Sequence, residues 1–166
     1  MKRIIIIPLL LLSILSFGQE NCTEINVKYD EVTDKTTISS ERIQYDGFSM
    51  VLFVGERKGV YPKMVFKTDK ETCIDEYQPI YILFHNGDRI KIANYVYNYN
   101  CDGLTGFIIN NRTNKKLLEN EKIKSIRIDT RSSYLQTELD EEQANQVIDI
   151  INCAYNRESW EDQIKN

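Results

Sequence analysis

Four cysteines, one histidine and a run of alternating tyrosines are the residues of this 166-residue chain with the clearest chemical options. His85 could serve as a general base only with a substrate pocket and an orienting partner. It lies between the apolar run IYILF and the segment DRIKI, which predicts a hairpin loop and a surface position. The sequence contains no G-x-S-x-G, no H-E-x-x-H and no glycine-rich phosphate loop, so no catalytic residue is assigned. Asp75-Glu76 and Glu141-Glu142 are sequence neighbours and read as solvated charge. Asp30, Glu31 and Asp34 cluster in YDEVTDK but lack the alternating acid–glycine spacing that gathers six or more oxygens around calcium. Neither a metal nor a cofactor is expected.

Cys22, Cys73, Cys101 and Cys153 form an even set without a C-x-x-C pair, which favours structural disulfides over zinc or redox chemistry. Three pairings are possible. The hairpin ladder described below favours Cys73–Cys101, which leaves Cys22–Cys153 to tie the start of the mature chain to its last helix.

In NYVYNYNCDG, Tyr95, Tyr97 and Tyr99 alternate, so a strand would present all three on one face. The hairpin register puts Tyr77, Tyr81, Arg89 and Lys91 on that face too. Tyrosines edged by cations suit protein interfaces and stacking on sugar rings. The expected ligand-binding set is therefore Tyr81, Tyr95, Tyr97, Tyr99, Arg89 and Lys91, with a protein or glycan as partner. The competing reading is that a second sheet or a helix covers this face, since tyrosine also favours strands.

The elements that must position these residues are mostly strands. Ile25, Val27 and Tyr29 alternate with polar residues, as do Phe48, Met50, Leu52 and Val54. Val51 and Phe53 are apolar as well, which predicts a strand buried on both faces. Further strands are expected at 64–68, 104–109 and 124–130. In IYILFHNGDRIKI, a two-residue Asn86-Gly87 turn would set apolar against charged residues. A three-residue loop with Gly87 in the left-handed region instead pairs Ile82 with Ile90 and Ile80 with Ile92, and the hydrophobic pattern selects it. Extended, that ladder puts Cys73 opposite Tyr99, one diagonal step from Cys101.

Near the C-terminus, LDEEQANQVIDIINCAYN predicts a helix with Asp140 as N-cap and Gln143 in the capping-box position. Ala144, Val147, Ile148, Ile151, Ala154 and Tyr155 mark its apolar face. The fold class is thus mainly β (α+β): an antiparallel β-sandwich or partly open barrel with one C-terminal helix packed on it. Residues 19–156 form one disulfide-stapled domain, and 157–166 are expected to fray.

Lys2 and Arg3 followed by an apolar run, 4–15, and small residues at Ser16 and Gly18 predict a signal peptide cut after Gly18. Gln19, Glu20 and Asn21 do not suit lipidation of Cys22. Cleavage removes two of 21 basic residues and none of 25 acids, taking the formal charge from −4 to −6. That balance argues against nucleic acid, and no stable membrane insertion is expected after cleavage. The chain reads as a periplasmic or secreted, non-enzymatic binding module. Two other classes fit the same features: a periplasmic inhibitor or immunity-type protein, and a hydrolase with a dispersed site.

Overall fold

The computed structural model describes residues 22–55 and 60–156. The expected leader, its cut after Gly18 and the tail 157–166 lie outside the described residues. Among the described residues the architecture is mainly β, with two open antiparallel sheets and two helices. The six-stranded sheet runs β1 (Ile25–Asp30), β2 (Lys35–Ser40), β4 (Phe48–Val54), β5 (Lys63–Thr68) and β8 (Leu104–Ile108), with the short β3 (Ile43–Gln44) also paired to β4. The four-stranded sheet runs β10 (Tyr134–Glu138), β9 (Ile123–Asp129), β6 (Pro79–Phe84) and β7 (Arg89–Ala93). Helices α1 (Arg112–Asn120) and α2 (Glu141–Tyr155) pack on each other, and α2 also meets β1 and β4.

Alternation decides which face each strand buries. On β4 and β5, Met50 pairs with Phe66 and Leu52 with Met64, and all four are fully buried. Phe66 lies between Phe48 and Phe107, with ring centroids 5.8 and 6.3 Å away. From the other sheet, Ile80, Ile82, Phe84, Ile90, Ile126 and Ile128 join the same continuous core. The expected burial of β4 on both faces is only half realised. Val65 is buried beside Val51, but toward the end of the strand Phe53, on the same face, is 37% exposed among the described residues.

The β6–β7 hairpin adopts the three-residue register. Ile80 faces Ile92 and Ile82 faces Ile90, and Phe84 donates its backbone N–H to Asp88. Gly87 sits at φ +91°, where a side chain would be strained. Toward Cys73 the ladder departs from the expected register by two residues. Tyr77 takes φ +66° and donates to the Asn94 carbonyl, while Asn94 donates to that of Gln78. Pairing resumes with Ile74 opposite Asn100, which sets Cys73 beside Cys101 rather than opposite Tyr99.

Both expected disulfides are present, Cys73–Cys101 and Cys22–Cys153, and the described residues include no free cysteine. Two disulfides suggest an oxidising, extracytoplasmic compartment.

Helix α2 carries the full capping box. Asp140 accepts from the Gln143 backbone at 2.8 Å, and Gln143 Oε1 accepts from the Asp140 N–H at 3.1 Å. Its core face is turned slightly from the expected one, with Ile150 buried and Ile148 half-buried. A second helix, α1, was not expected. Asn111, part of an Asn-x-Thr triplet, caps it by accepting from the backbones of Thr113 and Asn114.

Tyr155 fastens the end of α2. Its hydroxyl donates to the Ile109 carbonyl at 2.8 Å, and Lys115 Nζ stands 3.9 Å from its ring centroid. Burial, with Glu119 and Tyr61 nearby, pushes its phenol up to about 12. A folded value above the ordinary one, near 10, makes its contribution complete below about pH 10 and progressively lost as pH rises through about 12. Tyr155→Phe is expected to cost about 1 kcal/mol at neutral pH through the lost hydrogen bond. It should also soften the decline in stability between about pH 10 and 12, as read by urea unfolding across that range.

Candidate functional site

Tyr81 is the centre of the most developed surface. On β6, Ile80, Ile82 and Phe84 point into the core, so Tyr81 and Leu83 face outward by the strand's period of two. Antiparallel pairing then builds rows across the sheet. Gln136 is opposite Arg127, Arg127 opposite Tyr81, and Tyr81 opposite Lys91. The next row contains Glu138, Ser125, Leu83 and Arg89.

Cations and rings alternate along this face. Arg127 Cζ stands 3.9 Å from the Tyr134 ring centroid and 5.7 Å from that of Tyr81, and Lys91 Nζ lies 5.4 Å from Tyr81 on the other side. Contacts of this kind contribute about 0.5–1 kcal/mol each at exposed sites. Their larger effect is to hold long, mobile side chains in place. Arg127 is further oriented by donating from Nε to Asp129 Oδ1 at 2.8 Å, a bond that raises its already high pKa. Among the described residues no protein acceptor takes either of its Nη groups, and Arg89, Lys91 and Arg131 have no ion-pair partner.

Of the expected binding residues, Tyr81, Arg89 and Lys91 share this face. Tyr95, Tyr97 and Tyr99 do not continue it, because residues 94–99 form no strand. Asn94 is fully buried there. Its side chain accepts from the Val96 and Tyr97 backbones and donates to the Tyr97 carbonyl, curling the chain into a loop.

The three tyrosines therefore separate. Tyr95 packs edge-on against Tyr77 at 5.3 Å, and Tyr97 is half-buried, which raises its pKa. The Tyr99 hydroxyl lies 3.1 Å from Cys101 Sγ, with Arg131 Cζ 5.8 Å from its ring. Arg127, Tyr134, Gln136 and Ser125 join this face from β9 and β10, outside the set expected from sequence. The signal was there in YLQTELD, where Leu135, Thr137 and Leu139 alternate with Tyr134, Gln136 and Glu138.

Two hollows differ sharply in charge. One, of about 820 Å³, lies against the start of α2 and is lined by five carboxylates, those of Glu24, Glu41, Glu141, Glu142 and Asp149. The other, of about 410 Å³, opens on the tyrosine–arginine face. Tyr81, Leu83, Arg89, Ser125, Arg127 and Gln136 line it with Ile82, and no carboxylate does.

His85 occupies the exposed hairpin tip as expected, near the Lys122–Glu141 ion pair, whose Nζ–Oε1 separation is 2.7 Å. That ion pair holds Glu141 below the usual carboxylate range. In the YDEVTDK turn, Asp30 accepts from the Val32 and Thr33 backbones and from the Thr33 hydroxyl, while Asp34 accepts from Tyr29. Those carboxylates shape the β1–β2 turn. The chain matches no protein-family model, no curated protein and no solved structure.

Proposed function

We propose that this chain is a non-enzymatic binding module, exported to the periplasm or beyond the cell, that engages a glycan or protein through the outward face of its four-stranded sheet. The observation that carries this reading is the solvent-facing ladder Tyr134–Arg127–Tyr81–Lys91. Among the described residues, α1 and α2 pack on each other and α2 on β1 and β4, so neither helix covers this face. Rings already braced by cations lose little side-chain freedom when a ligand arrives, which favours affinity without new folding.

The test is affinity electrophoresis of the folded, oxidised chain through gels holding immobilised polysaccharides, together with capture on defined protein surfaces. Tyr81→Ala and Tyr134→Ala are each expected to weaken the observed interaction roughly tenfold while leaving the unfolding midpoint near that of the parent. Binding that survives both substitutions unchanged would move the site off this face.

A further inference from the structure

We infer that the hollow between Tyr81, Arg89 and Arg127 takes a negatively charged sugar unit, and that the ligand is an acidic polysaccharide. This rests on the reading of the sheet face as a binding surface and narrows it to one ligand class.

Charge supports the narrowing. The hollow contains two guanidinium-bearing side chains and no acid, in a chain whose formal charge is −4. Arg127 is fixed from behind by Asp129 through Nε, which leaves its Nη pair as a planar donor edge suited to carboxylate or sulfate. Asp129 and Glu138 lie on the same face but do not line the hollow, so the anion position itself faces cations.

Shape points to a ring rather than a peptide. Neighbouring strands are about 4.8 Å apart, so Lys91 and Arg127 flank Tyr81 with their backbones about 10 Å from each other. That interval suits charged groups on alternate units of an extended sugar chain crossing the strands. The contact is made by the flat of the sheet, where no unpaired backbone edge is offered for an added peptide strand. Tyr81 supplies a surface for the ring, and Ser125 and Gln136 supply hydroxyl and amide partners for its oxygens.

The test uses the full exported chain, both bridges intact, in gels containing polygalacturonate, its methyl ester, a sulfated galactan, a neutral glucan or polyglutamate. A polyanion has no general attraction for an acidic protein, so retardation reports a local site. Polygalacturonate or the sulfated galactan is expected to retard the chain, and the two arms distinguish carboxylate from sulfate. The methyl ester, the neutral glucan and polyglutamate should retard it at least tenfold less. Arg127→Gln and Arg89→Gln should each weaken retardation about tenfold, whereas Lys28→Gln, on the other sheet, should leave it unchanged.

Equal retardation by the methyl ester or neutral glucan, still lost in Tyr81→Ala, would overturn the acidic-sugar inference and leave the face reading standing. Equal retardation by polyglutamate would show recognition of charge without the sugar and overturn it as well. Failure of both polyanionic polysaccharides to retard the chain would also overturn it. The face reading would then stand or fall on the Tyr81 and Tyr134 variants against protein surfaces.

Discussion

Replacing Cys22 and Cys153 together by alanine is expected to destabilise the fold by about 5 kcal/mol, the largest effect of any substitution considered for this chain. The bridge spans 131 residues, almost the entire described chain, so cutting it restores the greatest freedom to the unfolded ensemble. The Cys73–Cys101 bridge spans 28 residues, and the same chain-entropy relation gives about 3.5 kcal/mol for it. Single domains are stable by only about 5–15 kcal/mol, so loss of the longer bridge brings the protein to the edge of unfolding. Urea unfolding of the oxidised parent and of each double variant provides the comparison. If the shorter bridge proved the costlier to remove, loop length would not be what governs their contributions.

Phe66→Ala is the second large effect, expected at about 3–5 kcal/mol. Phe66 is fully buried, pairs with Met50 across the β4–β5 ladder, and contacts the rings of Phe48 and Phe107. Truncation would open a cavity walled by Phe48 and Met50 from β4 and Phe107 from β8, all fully buried. Phe53→Ala provides the contrast from the opposite face of the same ladder. Because Phe53 already meets solvent, its truncation should cost about 1 kcal/mol. Equal losses at the two positions, measured by chemical denaturation, would contradict the assignment of the core to one face of this sheet.

Local patterns with a unique solution were legible before the fold was known. The β6–β7 register followed from Asn86-Gly87 and the four isoleucines it brings together, because the competing turn sets apolar against charged side chains. The capping box of α2 followed from the spacing of Asp140 and Gln143. Helix α1 escaped notice because RTNKKLLEN buries only Leu118 fully, and too few apolar residues recur to show a helical period.

The tyrosine run failed for a different reason. Alternation in NYVYNYNC is genuine, but a buried asparagine that satisfies three backbone groups has a stronger claim on the local conformation than strand propensity. The candidate site was half visible in consequence. Tyr81, Arg89 and Lys91 could be placed from one hairpin, whereas Arg127 comes from β9, which pairs with β6 across more than forty residues of sequence, and Tyr134 from β10 beyond it.

The span of the longer bridge also imposes an order on biogenesis. A growing chain can oxidise Cys73 with Cys101 once residue 101 has emerged, but Cys22 must wait for Cys153 in α2. Any product arrested before that helix retains a thiol at Cys22 with no native mate, open to exchange with oxidoreductases or other stalled chains. Closure of this bridge therefore reports that α2 has been made and brought back to the strand that follows Cys22.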